Sequence, residues 1–176
     1  IILSSPHTIP HDHSPRKNPD PVYPLPRPRG WGGIVSRHMH TPHTHRKKDF
    51  RKWHDKKAMV HAKTHRVFFH EREIWFCHLG ENVGFEQDGR GEEFLRPIVI
   101  LKKFNNEVLW GIPLTKNGRK ENHPYYFVFV FRPGAPSAAI LSQIRLIDAK
   151  RLKYKIGEIP ESNFSALKAK IRQLLA

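Results

Sequence analysis

Two apolar runs in the middle of the chain predict a β-hairpin. Residues Ile98–Leu101 and Val108–Ile112 are rich in β-branched and large apolar side chains, and the polar pair Asn105-Asn106 stands between them. Two such runs joined by a short turn are typical of antiparallel strands. Arg96 comes just before the first run and Thr115 just after the second. Antiparallel pairing therefore brings a guanidinium and a hydroxyl to the same end of the sheet.

Further segments with strand character surround this hairpin. Strands are predicted at Ile74–Leu79, Tyr125–Phe131, Ser137–Ile144 and Tyr154–Ile159, and a final helix is predicted after Pro160. In the first of these strands, Trp75, Cys77 and Leu79 are expected to share one face. Strands followed by one closing helix indicate a mainly β chain of the α+β class, a small curled sheet or barrel capped by a helix.

The first 66 residues have a different composition. Residues 1–45 hold nine of the fifteen prolines and few apolar residues, which predicts a disordered tail with polyproline II character. We favour an extension without function over a proline-rich docking peptide. Residues 46–66 are predicted to contain a basic amphipathic helix with Phe50 and Trp53 on its apolar side. Packing of that helix on the compact domain, residues 67–176, ranks ahead of an RNA contact and of a membrane-surface role.

Charge and histidine content are concentrated in the same part of the chain. Of 31 Lys and Arg residues, 14 lie in residues 1–66, together with only 4 of the 16 Asp and Glu residues and ten of the thirteen histidines. A net charge of +15 indicates a polyanionic partner or a solubilising tail. The dense group of histidines comprises His38, His40, His43 and His45. It has no carboxylate or thiol partner nearby, so weak metal binding is favoured over a specific metal site.

Cysteine content and hydropathy suggest a cytoplasmic protein. The single cysteine, Cys77, excludes an intrachain disulfide, and no apolar run approaches the roughly 18 residues of a membrane span. We therefore expect no membrane partner. The chain begins with isoleucine, and Met39 is a candidate natural start. In the predicted first strand, Cys77 is expected to be a core residue and His78 a structural one.

Residue chemistry alone leaves two interpretations of the hairpin end. Arg96 can be a surface ion-pair partner and Thr115 a strand cap, and on chemistry alone this is the simpler view. Alternatively, the two bind a phosphate beneath the glycine-punctuated loop Gly84–Gly91, in which Glu86 supplies a carboxylate. A guanidinium suits that task because it is always charged and matches phosphate geometry.

Five segments, taken in order, resemble the MazF/PemK family, the RNA-cleaving toxins of type II toxin–antitoxin systems. They are Ile74-Trp75-Phe76 with Leu79, Gly84-Phe85-Glu86-Gln87, Arg96-Pro97-Ile98-Val99-Ile100, Pro113-Leu114-Thr115 and Leu141–Asp148, and they span about residues 70 to 175. The chain departs from the family pattern at Arg90–Leu95, an insertion between the loop glycine and Arg96, where the family usually has one or two residues.

The resemblance implies an SH3-like β-barrel that dimerises, and a sequence-selective endoribonuclease that cuts single-stranded RNA, chiefly mRNA, without metal or other cofactor. Its catalytic residues are then Arg96 as the fixed cation, Thr115 as a hydrogen-bond donor and Glu86 as the base. The candidate RNA-binding residues are Phe85, Gln87, Lys116, Arg119, Lys120, Gln143 and Arg145.

The resemblance also implies a growth-inhibiting toxin that a cognate antitoxin protein neutralises. A rival with the same fold is a non-catalytic toxin of the CcdB type, which acts on a protein such as DNA gyrase. A third alternative is an RNA-binding module that has lost its nuclease activity. The Arg-Pro and Pro-Leu-Thr segments favour the nuclease.

Overall fold

A computed structural model describes residues 47–116, 123–134 and 136–176. The helices and strands are α1 (Phe50–His61), β1 (Glu73–His78), β2 (Leu95–Lys103), β3 (Val108–Thr115), β4 (Tyr126–Val130), β5 (Pro136–Ile140), β6 (Arg145–Asp148), β7 (Leu152–Glu158) and α2 (Glu161–Leu175). Two 3₁₀ turns, Leu141–Gln143 and Ala149–Arg151, flank β6. The proline-rich tail, the histidine cluster, Arg119 and Lys120 lie outside the described residues.

The seven strands form one antiparallel sheet. Its order is β4-β5-β3-β2-β1-β7, and β6 also pairs with β3. The predicted mainly β architecture with a C-terminal helix is therefore confirmed. Within the described residues no ladder joins the two ends of this path, β4 and β7. Closure into an SH3-like barrel stays a prediction.

Both faces of the central strands are buried. Val99 and Leu101 of β2 pack in a cluster with Phe164 and Leu167 of α2. Ile98 and Ile100, which point to the opposite face, join a second cluster. Burying such a side chain contributes about 1.5–3 kcal/mol. The uninterrupted apolar run of β2 follows from this double burial, since a strand exposed on one face alternates with polar residues.

Strand β1 shows the predicted alternation. Trp75, Cys77 and Leu79 belong to the second cluster, and Ile74 belongs to the cluster under α2. Cys77 is fully buried, and burial raises the pKa of its thiol to about 12. This environment makes Cys77 an inert core residue, as the sequence indicates.

The hairpin has the predicted register. Ile98 pairs with Pro113 and Val99 with Ile112, and continuing that register places Arg96 opposite Thr115. The turn is closed by the Asn105 side chain, which accepts hydrogen bonds from the backbone N–H groups of Glu107 and Val108, both at 2.8 Å. Asparagine is favoured in such turns because its side chain bonds to the backbone just ahead.

The strand predicted at Ser137–Ile144 is wrong in its second half. The strand ends at Ile140, where Leu141 N–H donates to Tyr125 O at 2.7 Å, and the chain turns before β6 pairs with β3. An apolar run does not show where a chain leaves one neighbouring strand for another, so the sequence joined two segments that pair with different partners.

Helix α1 lies within the predicted segment and starts at a side-chain cap. Asp49 Oδ1 accepts a hydrogen bond from Lys52 N at 3.0 Å. Trp53 and Val60 are buried, whereas Phe50 is 51% exposed. The expectation that Phe50 packs on the domain was wrong: it is the first helical residue and stands at the mouth of a surface cleft.

Candidate active site

Arg96 stands at the start of β2, where the sheet fixes its backbone and its side chain is largely buried. Its Nε donates to Asp88 O, and its Nη1 donates to Leu114 O at 3.0 Å. Burial lowers the pKa of Arg96, and the charge of Arg90 lowers it further, against the opposing effect of Asp88. An arginine in water titrates so far above neutrality that the group keeps its charge. The hydrogen bonds given above use Nε and Nη1.

The loop before β2 and the Arg96 guanidinium enclose a cleft of about 600 Å³. Its walls are formed by Gly84, Phe85, Glu86, Gln87, Asp88, Gly89, Arg90 and Arg96. Four of the residues that the sequence singles out, Phe85, Glu86, Gln87 and Arg96, therefore share one cavity. The Phe85 ring is 93% exposed, which leaves it free to contact a ligand.

Glu86 is exposed and belongs to a tight turn. Its carboxylate accepts a hydrogen bond from Val83 N at 3.1 Å, and its own N–H donates to Val83 O at 3.1 Å. One carboxylate oxygen is thus held by the loop, and the group as a whole lies at the rim of the cleft. A carboxylate has further acceptor positions, which stay open to solvent or to a ligand.

Thr115 is half-buried at the end of β3, where it pairs with Ala138 of β5. The Arg96 guanidinium reaches the carbonyl of its neighbour Leu114. Thr115 is not among the cleft-lining residues of the described chain, so the structure brings Thr115 near Arg96 by register and not by a shared cavity. Lys116 follows and is exposed.

Gln143 and Arg145 take different positions. The Gln143 Oε1 accepts from Gln87 N at 3.3 Å, and its Nε2 donates to Phe85 O at 3.5 Å. Gln143 therefore holds the loop in place through two hydrogen bonds to its backbone. Arg145 lines a second, smaller cleft, on the other side of Glu86.

Asp88 and Lys48 are the residues that the sequence did not single out. The Asp88 carboxylate pairs with Lys48 Nζ at 2.8 Å and accepts from Asn82 N at 2.7 Å. Lys48 Nζ also donates to Asn82 O at 2.5 Å. Since Asp88 O contacts Arg96, these residues join the segment before α1 to the guanidinium. Aspartate side chains in glycine-rich loops often hydrogen-bond to the nearby backbone. This tendency was the one sequence feature that could have pointed to Asp88.

The family of this chain follows from its match to a known family model. Residues 70–175 match the model of the PemK-like, MazF-like toxins of type II toxin–antitoxin systems. The chain belongs to this family. No curated protein matches the sequence.

Solved structures of similar fold include two MazF proteins. MazF of Deinococcus radiodurans is 17% identical with a TM-score of 0.51, over 62% of this chain and 97% of that one. MazF-mt6 of Mycobacterium tuberculosis is 19% identical with a TM-score of 0.45, over 59% and 96%. A mycobacterial endoribonuclease in complex with its cognate antitoxin is 12% identical with a TM-score of 0.46, over 61% and 95%. The first of these supports the MazF-like fold.

Helix α1 lies outside the residues that match the family model. It contacts the segment Arg90–Leu95, where the sequence predicts an insertion. The Trp53 and Phe94 rings are 5.4 Å apart, and Lys56 Nζ lies 2.5 Å from Glu93 Oε1. Lys56, and after it Lys153, lowers the pKa of Glu93 to about 2. Helix α1 therefore contacts the segment Arg90–Leu95 through an aromatic pair and an ion pair.

Other chemically active side chains of the toxin are structural. His78 is 1% exposed, its Nδ1 lies 2.8 Å from Glu93 O, and burial lowers its pKa. Across the three described ranges, no group of three or more His, Cys, Asp and Glu side chains is arranged to hold a metal ion. No helix in those ranges is long and apolar enough to cross a membrane.

Proposed function

We propose that this toxin is a metal-independent endoribonuclease that cuts single-stranded RNA, chiefly mRNA, at selected sequences. The observation that supports this most directly is the cleft in which Arg96 stands as a fixed cation beside Glu86 and the exposed Phe85 ring. Membership of a toxin family supports it independently, because family relatives of known structure are described as endoribonucleases.

The proposed reaction uses the RNA's own 2′-OH as nucleophile. That oxygen attacks the adjacent phosphorus while the Glu86 carboxylate takes its proton. Arg96 neutralises the charge that builds up on the phosphorane oxygens, and Thr115 donates a hydrogen bond to one of them. The P–O5′ bond breaks, and the departing oxygen takes a proton from solvent water, a transfer that Arg96 assists. Glu86 then returns its proton to the solvent. The products are a 2′,3′-cyclic phosphate and a free 5′-OH.

Substrate binding is assigned to the residues around the cleft. Phe85 stacks on an unpaired base, since stacking on an exposed ring suits every base. Gln87 contacts a base edge or holds the loop, and Gln143 keeps that loop in place. The cations assigned to the RNA backbone are Lys116, Arg119, Lys120 and Arg145.

The same proposal includes a cytoplasmic homodimer with an SH3-like barrel, neutralised by a cognate antitoxin protein. An exposed apolar patch is available for assembly. Trp110 of β3 and Leu146 of β6 are register partners and are 44% and 63% exposed, and Phe104 lies edge-on to Trp110 at 5.1 Å. Contiguous exposed apolar side chains of this kind commonly mark interaction surfaces.

The chemistry of the cut ends tests the proposal. Purified protein is incubated with a long RNA in EDTA, and the fragments are analysed by mass spectrometry. We expect full activity, a cyclic phosphate upstream and a 5′-OH downstream. A substrate with one deoxynucleotide just 5′ of the scissile phosphate lacks only the nucleophile, so it should bind and resist cutting.

Other outcomes assign a different function. A 5′-phosphate end, or cleavage of the deoxy-substituted bond, would contradict the 2′-OH mechanism. RNA that is bound but never cut indicates a binding module without nuclease activity. No binding and no cutting, with growth inhibition retained in cells, indicates a toxin that acts on a protein target.

A further inference from the structure

Helix α1 is held firmly against the loop before β2. The Trp53 ring packs on the backbone of Gly80, where an added β-carbon would lie 2.0 Å from Cε2 of the indole. The ring also meets Phe94, and the Arg151 guanidinium lies 5.5 Å from its centre. The ion pairs Lys48–Asp88 and Lys56–Glu93 add polar contacts on either side of this aromatic one. These contacts make the helix one wall of the space beside the loop.

A second cleft, of about 410 Å³, lies between this wall and the loop. Ligand pockets in proteins span roughly 300–1,000 Å³, so the space is large enough for a small ligand group. On the α1 side its lining includes Phe50, His54 and Lys57. Arg145 and Arg151 line it from the sheet side.

The chemistry of this cleft suits an aromatic ligand with negative charge. Phe50 offers a ring that is 51% exposed. Three permanent cations face two carboxylates, Glu81 and Glu86. A nucleotide combines a flat base that stacks with a phosphate that pairs with lysine and arginine.

The two clefts are adjacent, because Glu86 lines both of them. A single strand whose scissile phosphate lies at Arg96 and that continues past Glu86 would reach α1. We propose that the second cleft is a nucleotide subsite of this toxin, in which Phe50 stacks on a base that lies outside the cleavage cleft and Lys57 pairs with its phosphate. The proposal rests on the proposed function, and it gives α1, which lies outside the family region, a role in substrate binding.

Binding of uncuttable probes tests the subsite. The probes are mixed-sequence 2′-O-methyl RNA strands of increasing length, from four to twelve nucleotides, and their affinity for the full chain is measured by fluorescence anisotropy. Phe50→Ala should weaken binding of the longer probes by about 5- to 160-fold, since stacking on an aromatic ring is worth about 1–3 kcal/mol per base. Lys57→Met should reduce the salt dependence by about 0.7 in the slope of log affinity against log salt.

Two matched variants serve as controls. Phe68→Ala removes another exposed phenylalanine, 84% exposed, and Lys47→Met removes another exposed lysine; neither residue lines a cleft. Both should bind every probe within about twofold of the unmodified protein. The length dependence separates a subsite from a structural effect: damage to the fold would weaken binding of short and long probes alike, whereas loss of a subsite weakens only probes long enough to reach it.

The outcomes distinguish the subsite from the proposed function. If the unmodified protein cuts RNA and all four variants bind the probes equally, the subsite is overturned and the nuclease stands. If the unmodified protein neither binds nor cuts RNA, the proposed function fails and the subsite fails with it. A length-dependent loss confined to Phe50→Ala and Lys57→Met supports both.

Discussion

The central strands and the α1–loop region of this toxin are stabilised in different ways. In β2, the residues Ile98–Ile100 are fully buried, and their neighbours on both faces of the sheet are apolar. The α1–loop region has one substantial apolar contact, Trp53 with Phe94 and Gly80, and otherwise depends on ion pairs such as Lys48–Asp88. This region buries less apolar surface than the central strands, so it is expected to open more easily than they do.

The candidate site lies at the junction of these two regions. Arg96 belongs to the sheet, whereas Glu86 and Asp88 belong to the loop. Preorganised charge needs a fixed position, and the sheet provides it for the cation. Substrate entry needs a mobile element, and the loop is the weaker partner. Substitution of Arg96 should therefore affect the chemical step, whereas changes to the α1–loop contacts should affect how often the site is formed.

Arg96→Ala should have the largest effect. Loss of a fixed transition-state donor lowers rates by on the order of 10²–10³, about 2.7–4 kcal/mol. The carbonyls of Asp88 and Leu114 also lose a donor, so stability should fall by about 1–3 kcal/mol while the protein stays folded. Cleavage assays on RNA measure the first effect, and urea unfolding measures the second.

Arg132→Ala is the matched control for Arg96. Arg132 is exposed and donates to Ile156 O at 2.6 Å, away from both clefts. Its removal should leave cleavage unchanged. An Arg96→Ala protein that cuts RNA as fast as the Arg132→Ala protein would contradict the assignment of Arg96.

Gly80→Ala should detach α1 without unfolding the sheet. Gly80 has φ of +87°, a left-handed conformation that costs a non-glycine residue about 1–2 kcal/mol, and its β-carbon would collide with Trp53. Overpacking adds about 1–3 kcal/mol. We expect hydrogen exchange to accelerate across Phe50–His61 and to change little across Leu95–Lys103.

Gly91→Ala separates the backbone cost from the collision. Gly91 also has a positive φ, +67°, but a β-carbon there meets nothing within 4 Å. The Gly91→Ala protein should therefore lose only the free energy of the strained backbone conformation, and α1 should stay in place. Equal acceleration of exchange in the two variants would mean that the Trp53–Gly80 contact does not hold the helix.

Lys48→Met should have a moderate effect on activity and little on the sheet. Lys48 and Asp88 are 19% and 22% exposed, and hydrogen bonds to charged groups are worth about 1.5–3 kcal/mol. Loosening the loop should lower kcat/KM by about tenfold, because the site is then formed for a smaller fraction of the time. Lys47→Met, one residue away and exposed, should cleave normally. Normal cleavage by the Lys48→Met protein would show that the loop needs no such anchor.

The sequence predicted the sheet better than the loop, and the reason is physical. Strand character, turn residues and alternation are local properties, so the hairpin, its register and the position of Arg96 opposite Thr115 followed from residues a few positions apart. The family resemblance supplied Phe85, Glu86 and Gln87, and they share the cleft with Arg96. Residues of this part of the site were therefore brought together largely as predicted.

Contacts between distant surface residues left no local pattern. Lys48 and Asp88 are 40 positions apart, and each resembles any solvated charge in sequence. The burial of Trp53 against a bare glycine backbone at Gly80 likewise depends on chain segments that meet only in the fold. The same limit explains the error at Phe50, because the first turn of a helix can extend beyond the surface that its later turns cover.

Glu93→Gln should have the smallest effect and tests the electrostatic side of the comparison. Glu93 contacts Lys56 and Lys153 at 2.5 and 3.0 Å but is 41% exposed, so each pair is expected to contribute about 0.2–1 kcal/mol. Its pKa is lowered to about 2 in the folded state, so its stabilisation is fully present above its ordinary value of 4.5 and is lost as the pH falls through 2. Urea unfolding should therefore show a slightly lower free energy of unfolding for Glu93→Gln at pH 6. This deficit should shrink between pH 4.5 and 2, and it should also shrink in high salt.

Glu92→Gln is the matched control, since Glu92 is 91% exposed and 3.7 Å from Lys52, and it should show no deficit. A deficit that stayed constant with pH would mean that Glu93 acts through packing, and the loop would then resemble the sheet more closely than its contacts indicate.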